Sequence, residues 1–465
     1  MPLVITKNAR PRKSTTKILL VEPKFPLPSK SKNHKNFLPI GLLKLGAWFE
    51  DKQIEVELVR GNLLEAELSF TPDEVWITSL FTYWSKNVID SSLHYKEYSN
   101  SPRIVVGGIY ASLMPEHCQK ETKAHSISVG VHSTAEKYYP AYHLLESLNG
   151  ELDFQIVHAS RGCIHKCKFC GVHVIEPNGL KPESHILPLI AKPKNGGKKI
   201  CNTSIESDDE YEIGKRNLVF YDNNFLANED IENILKELAY LKKKRSIGWC
   251  ESQSGFDGRV LEKNPSLAKL LKTAGFRYPR IAWDWDLNQG PSIKRQIDIL
   301  LDAGYKEKDI SVFMIYNWGI PFEKVEEKRV KCFEWGVQIA DCRYRPLDAI
   351  EDNYKSHVKT QSDGYHIHTN KNWTDQLVRQ FRRNIRRQNI CIRHGFPLYS
   401  SAFERKKATK EEILMIKQAD TIEDKKMILR SLDYDCWDPR ELTHVSISSP
   451  QKILATQQTT VLDHS

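Results

Sequence analysis

No stretch of the chain approaches the roughly eighteen consecutive apolar residues of a membrane-spanning helix, so no membrane association of that kind is expected. The opening residues, MPLVITKNARPRKSTTK, are basic and lack the apolar core of a signal peptide, which points to a cytoplasmic protein. Internal repeats are missing as well, which argues against a solenoid or a propeller. There are ten cysteines, but seven of them (Cys118, Cys201, Cys250, Cys332, Cys342, Cys391 and Cys436) are dispersed without a short-spaced pair. That pattern excludes a zinc ribbon with two C-x2-C knuckles, and no auxiliary cluster is expected from it. All of these but Cys118 are read as small buried hydrophobes.

An ordinary globular mix is present: 465 residues, 40% hydrophobic and 27% charged, enough for two to four domains. The net charge of +9 is uneven. Residues 1–35 hold nine Lys/Arg against one acid, and residues 376–410 hold ten against one, so the rest of the chain is acidic. Two local basic segments can attract an anionic partner even when the body does not.

Apolar runs of strand length recur with helical stretches between them. KILLVE (17–22), VELVR (56–60), EVWITSL (74–80), RIVVGG (103–108) and SISVG (126–130) alternate with helices such as 40–52. The alternation predicts a doubly wound, Rossmann-like parallel sheet over 15–148. It restarts with QIVHAS (155–160), NLVFYD (217–222), IGWCESQS (247–254), YPRIAWDWD (278–286) and DISVFMIYN (309–317), with helices over 229–244, 266–275 and 291–303 between them. Strand–helix units in series predict an α/β architecture of β/α-barrel type over 150–345, with chemistry at the carboxyl ends of the strands. The polar run 191–216 reads as an insertion. A mostly helical region is expected over 346–440, and residues 1–14 and 441–465 read as flexible tails.

RGCIHKCKFCG (161–171) places Cys163, Cys167 and Cys170 as C-x3-C-x2-C on a loop leaving a strand. Thiolates are the usual ligands of iron–sulfur clusters, and three ligands to a four-iron cube leave one iron open. The competing reading is a Cys3His zinc site with His165 or His173 as fourth ligand. On that reading the chain is a non-catalytic, nucleic-acid-binding zinc protein.

The motif, and its position after the first strand of the second series, resemble the radical S-adenosylmethionine superfamily over about residues 150–345. The resemblance implies a [4Fe–4S] cluster whose open iron binds S-adenosylmethionine, and a low-potential electron donor of ferredoxin or flavodoxin type. It also implies roles at the strand ends. Phe169 precedes the last cysteine. Asp222 and Asn223 stand where the family grips the methionine amino group, although its glycines are missing here. Ser252, Gln253 and Ser254 are placed to meet the cofactor carboxylate, Asp284 to accept from a ribose hydroxyl, and Gly319, in Trp318-Gly319-Ile320-Pro321, to pass the adenine.

The N-terminal region resembles the cobalamin-binding domain fused to one class of these enzymes, which implies cobalamin-dependent methyl transfer to an unactivated carbon. Thr78-Ser79-Leu80 occupies the S-x-L place of cobalamin binders and Gly107-Gly108 the G-G place. His34 lies near the position of a lower cobalt ligand, but Lys32 and Phe37 replace the expected Asp and Gly. Methylthiotransferases are similar in layout, yet they need three cluster cysteines in this domain, which has only Cys118.

Finally, WTDQLVRQFRRNIRRQN (373–389) puts Arg379, Arg382, Arg383, Arg386 and Arg387 on one helical face, with Leu377, Val378, Phe381 and Ile385 opposite and Thr374 as cap. A guanidinium face suits phosphates or carboxylates, so an anionic substrate, nucleic acid or an acidic donor is the expected partner.

Overall fold

The computed structural model describes residues 16–26, 38–193, 211–352, 368 and 372–443. His34 and Cys201, the tail 1–14, most of 441–465 and the centre of the 191–216 run lie outside the described residues. The architecture is mixed α/β. Five parallel strands come first: β1 (Lys17–Glu22), β2 (Glu55–Arg60), β3 (Glu74–Ser79), β4 (Arg103–Gly108) and β5 (Ser126–Ser128). Their spatial order is β2-β1-β3-β4-β5.

The continuous apolar run of β1 follows from burial on both faces. Ile18 and Leu20 pack with Leu42 and Leu43 of the helix Ile40–Asp51, while Leu19 and Val21 pack with Val88 and Tyr95 of the helix Ser85–Lys96. In a sheet of this order the ligand crevice opens between the carboxyl ends of β1 and β3. Here Phe25, just after β1, stacks on Trp84 at 5.6 Å, and Phe81, just after β3, meets the same indole edge-on at 5.1 Å.

Six further parallel strands follow in chain order: β6 (Phe154–Val157), β7 (Asn217–Phe220), β8 (Cys250–Ser252), β9 (Arg280–Ala282), β10 (Ser311–Tyr316) and β11 (Gln338–Arg343). They pair as two three-stranded sheets, β6-β7-β8 and β9-β10-β11. Isolated parallel bridges Cys250–Phe276 and Phe256–Ile281 link the segments around β8 and β9. Side chains alternate between two cores, as the two-residue period of a strand requires. Leu218, Phe220 and Met314 face the helices Ile231–Lys243, Ser266–Thr273 and Gly290–Asp302. Phe154, Ile156 and Val219 face the other way, onto Ile18, Leu20, Leu43 and Phe49 of the first sheet and its helix. One apolar cluster thus spans both strand series, while each also has a cluster of its own.

The helix Phe322–Glu334 and strand β11 are among the elements outside the sequence expectations. Within that helix Arg329 and Glu326 form a buried ion pair at 2.9 Å. Arg329 also donates to Gln388 Oε1 at 2.9 Å and to the carbonyls of Pro439 (2.6 Å) and Glu441 (2.9 Å). With Asn384 Nδ2 donating to the Thr443 hydroxyl at 2.9 Å, the chain is tied down as far as Thr443, three residues into the expected tail.

The arginine-rich helix runs from Asp375 to His394, capped by the Thr374 hydroxyl at the start and by Gly395 in a left-handed conformation at the end. Its apolar face is buried as the spacing predicts. Its arginine face differs from the expected bare guanidinium surface, because much of it is matched within the chain. Arg382 lies 3.7 Å from Asp341, Arg386 pairs with Glu404, and Arg387 lies over the rings of Tyr399 (5.2 Å) and Trp437 (5.7 Å). The rest of the region adds the helices Ser401–Glu404, Lys410–Gln418 and Ile422–Ser431. Among the described residues no helix is long and apolar enough to cross a membrane.

Candidate metal centre

The loop that carries the three cysteines is fixed at its entry. Ser160–Arg161 pairs antiparallel with Lys181–Pro182, and Gly162 follows with φ +76°. A Cβ on Gly162 would stand 2.0 Å from the Gly179 carbonyl oxygen, so only glycine fits this turn. Gly162→Ala is therefore expected to destabilise the protein by at least about 1–3 kcal/mol and to displace the loop. Denaturant midpoints check this, with Gly319→Ala as control, since a Cβ there meets nothing within 4 Å.

Asp222, just beyond β7, holds the same entry from beneath. Its Oδ1 accepts from the Ser160 backbone N–H at 2.5 Å and from the Ser160 hydroxyl at 2.8 Å, while Oδ2 is buried with no hydrogen-bond partner. Burial pushes its pKa up to about 7, against the downward pull of the Ser160 bonds. A folded-state pKa above the unfolded value near 4 favours the protonated carboxyl in the native state. The stability it contributes is complete below about pH 4 and is lost as the pH rises through about 7. The apo-protein should thus lose a few kcal/mol of stability across that window through this group, and Asp222→Asn should flatten the loss. Denaturation at a series of pH values reads the difference.

Cys163, Cys167 and Cys170 are free, half-buried thiols. Cys170 N–H bonds the Cys167 carbonyl at 3.0 Å, closing a tight turn. Burial raises the pKa of Cys167, and the neighbouring Cys170, Cys163 and Asp284 raise it further. Burial also raises Cys170, again with Cys163 and Asp284 adding to the effect. Burial and the nearby Cys163 and Asp284 thus favour the neutral thiol form of Cys167 and Cys170, and ligation of a metal would displace those protons. Two N–H groups point at Cys163 Sγ: the His165 backbone at 3.4 Å and Asn224 Nδ2 at 3.9 Å. Such donors stabilise a thiolate. Among the described residues no three His, Cys, Asp or Glu side chains already stand at the spacing of a closed metal site. Three free thiols on one loop, with donors on one sulfur, supply the ligand type that a cluster takes.

Of the two histidines weighed as a fourth ligand, His165 is engaged elsewhere. Its Nε2 lies 2.8 Å from Asp257 Oδ2 and 2.8 Å from Arg259 Nη2. His173 Nδ1 is buried without a hydrogen-bond partner.

The other expected site residues occupy strand ends, in several environments. Phe169 meets Trp318 edge-on at 5.1 Å and Trp285 at 5.7 Å, and the two indoles are 5.5 Å apart, so an aromatic wall stands beside the last cysteine. Asn223 Nδ2 points to Glu176 Oε1 at 3.4 Å. The Ser252 hydroxyl is turned onto the Gly255 carbonyl at 3.1 Å, and Gln253 Nε2 onto Glu251 at 3.3 Å, while Ser254 is exposed. Asp284 follows β9. Burial raises its pKa to about 6, against the downward pull of Lys328. Lys328, itself buried, donates to the carbonyls of Trp283 (3.1 Å) and Trp285. Gly319 is exposed.

The cobalamin signature positions are occupied within their own sheet. The Ser79 hydroxyl accepts from Ala111 N–H at 3.1 Å. Gly108, with φ +99°, lies so close to β3 that a Cβ would be 2.2 Å from the Ser79 carbonyl oxygen. A Cβ on Gly107 would touch Ser128 Cβ at 3.3 Å, and Thr78 is half-buried beside it on β3. These groups pack strands, and Gly108 stands at the start of the helix Ile109–Leu113. That helix reaches the cysteine loop, where Leu113 stands 3.1 Å from the Cβ position of Gly171.

Sequence reasoning missed Asn224, Asp257, Arg259 and Lys328. Asp257-Gly258 ahead of a helical stretch is a cap signal, and Asp257 does cap the helix Gly258–Lys263 by accepting from Arg259 N–H. Four of the dispersed cysteines (Cys118, Cys250, Cys332 and Cys391) are buried, whereas Cys342 is half-buried and Cys436 exposed, unlike the expectation for them. No protein-family model and no curated protein matches the chain.

Proposed function

We propose that the chain is a radical S-adenosylmethionine enzyme, with a [4Fe–4S] cluster held by Cys163, Cys167 and Cys170. The observation that carries the reading is the placement of three free thiols on one short loop after the first strand of a parallel series, two of them on a single tight turn. On this reading β6 to β11, with the helices between them, form a partial β/α barrel, and the five-stranded sheet is a separate N-terminal domain. The chemistry supplied when the cluster is bound is one-electron reductive cleavage of the S–C5′ bond of S-adenosylmethionine, giving methionine and a 5′-deoxyadenosyl radical that removes a hydrogen atom from a substrate.

The Phe169, Trp285 and Trp318 rings form an aromatic wall beside the cysteine loop, a surface on which a bound ligand can pack. Asp284, tied by charge to the cysteines, offers a carboxylate to hydroxyl groups of a bound ligand. Its neighbours' backbone is clamped by Lys328, which limits its movement. A ferredoxin- or flavodoxin-type donor supplies the electron.

A second reading, zinc held by the three thiols and His173, is favoured by the buried, unpartnered Nδ1 of that residue. Anaerobic purification followed by metal and sulfide analysis separates the two. The proposed function predicts a brown protein with iron and acid-labile sulfide in equal amounts. A colourless protein with one zinc would replace it by the second reading.

A further inference from the structure

Two residues from different strand ends converge behind the cysteine loop. Asp257, whose side chain is almost fully buried, follows β8, and Asn224 follows β7. One carboxylate of Asp257 serves four groups. It receives the His165 ring at 2.8 Å, the Arg259 side chain at 2.8 and 2.9 Å, the Arg259 backbone N–H at 3.2 Å, and Asn224 Nδ2 at 3.5 Å. Asn224 Nδ2 in turn lies 3.9 Å from Cys163 Sγ, and His165 N–H lies 3.4 Å from the same sulfur. Both groups that approach Cys163 are therefore held by a single carboxylate, which is itself anchored as a helix cap.

The geometry points to Asp257 as the positioning residue of the cluster site: through His165 and Asn224 it fixes the loop around Cys163 and sets the hydrogen bonding and charge felt at that sulfur. This rests on the proposed function. Groups beyond the direct ligands commonly change metal affinity about 10–100-fold, and N–H donors to cluster sulfurs together with nearby charge set the reduction potential. Asp257 contributes negative charge and Asn224 contributes a donor, so their losses act in opposite directions.

The test uses the full chain reconstituted with iron and sulfide under anaerobic conditions. Iron release to a chelator is timed, and the midpoint potential is measured by redox titration of the visible and electron-paramagnetic signals. Asp257→Ala should release iron about tenfold faster than wild type or more. Asp257→Asn retains an oxygen for the cap and for one contact, so it should fall between the two. Its midpoint potential should be more positive than wild type, because a negative charge beside the cluster is gone. Asn224→Ala should move the potential the other way. Circular dichroism of Asp257→Asn and Asn224→Ala, which both keep the helix cap, confirms that folding is unchanged. If wild type holds a cluster while both of these variants match it in release rate and potential, the positioning role is wrong and the proposed function stands. If wild type holds no cluster, the proposed function fails and takes this inference with it.

Discussion

Changing Cys163, Cys167 or Cys170 singly to Ala is expected to abolish both the cluster and the cleavage of S-adenosylmethionine. A four-iron cube with one open iron has no ligand to spare. The remaining cysteines offer little replacement: Cys118, Cys250, Cys332 and Cys391 are buried in apolar cores, and Cys436 belongs to the C-terminal helical region. Cys342 is the one described thiol beyond the loop with an electrostatic link to Asp284. Cys342→Ala is therefore the informative control, expected to retain full iron. Iron and sulfide analysis of the four variants, with circular dichroism as a folding check, decides the point. A single loop variant that keeps full iron and full cleavage removes that cysteine from the ligand set.

Arg329→Met is expected to be the most damaging change remote from the cysteines, costing about 3–5 kcal/mol of stability. It would leave the Glu326 carboxylate buried without its ion-pair partner and free the carbonyls of Pro439 and Glu441 together with Gln388 Oε1. Glu326 would keep Asn384 Nδ2 at 3.1 Å and the Thr443 N–H at 3.4 Å, too little to balance a buried charge. The double change Glu326→Gln with Arg329→Met should recover part of the loss, because no uncompensated charge is left behind. Denaturant unfolding of the four members of this cycle measures the coupling. If the double variant is as unstable as the sum of the singles, the pair acts through shape and not through charge.

The strands that could be read directly were those with continuous apolar runs. KILLVE and RIVVGG are buried on both faces, so their composition alone marks them. Strand β11, QIADCR, could not be found that way, because its polar residues are matched by distant parts of the chain. Asp341 meets the Tyr316 hydroxyl at 3.3 Å and lies 3.7 Å from Arg382, and Arg343 pairs with Asp352. The same limit applies to the arginine helix. Spacing gave its buried face and Thr374 its start, but the partners Glu404, Tyr399 and Trp437 come from other segments. Its end was readable and was missed: Gly395 is a plain stop signal, eight residues after Arg387, the last arginine of the expected face.

At the candidate site the cysteine spacing was legible and its support was not. Asp257 stands 92 residues from His165, and Asn224 61 residues from Cys163, so only the folded strand ends bring them together. Ser252 and Gln253 use their side chains on Gly255 and Glu251, while the neighbouring Asn224 is the one aimed at a cysteine.

The central claim is tested most directly by incubating the anaerobically reconstituted protein with S-adenosylmethionine and a strong one-electron reductant, then separating the products by chromatography and mass spectrometry. The account predicts 5′-deoxyadenosine and methionine in equal amounts, formed only when reductant is present and only with all three of Cys163, Cys167 and Cys170 in place. Protein that carries a full complement of iron and sulfide yet leaves S-adenosylmethionine intact under these conditions would contradict it.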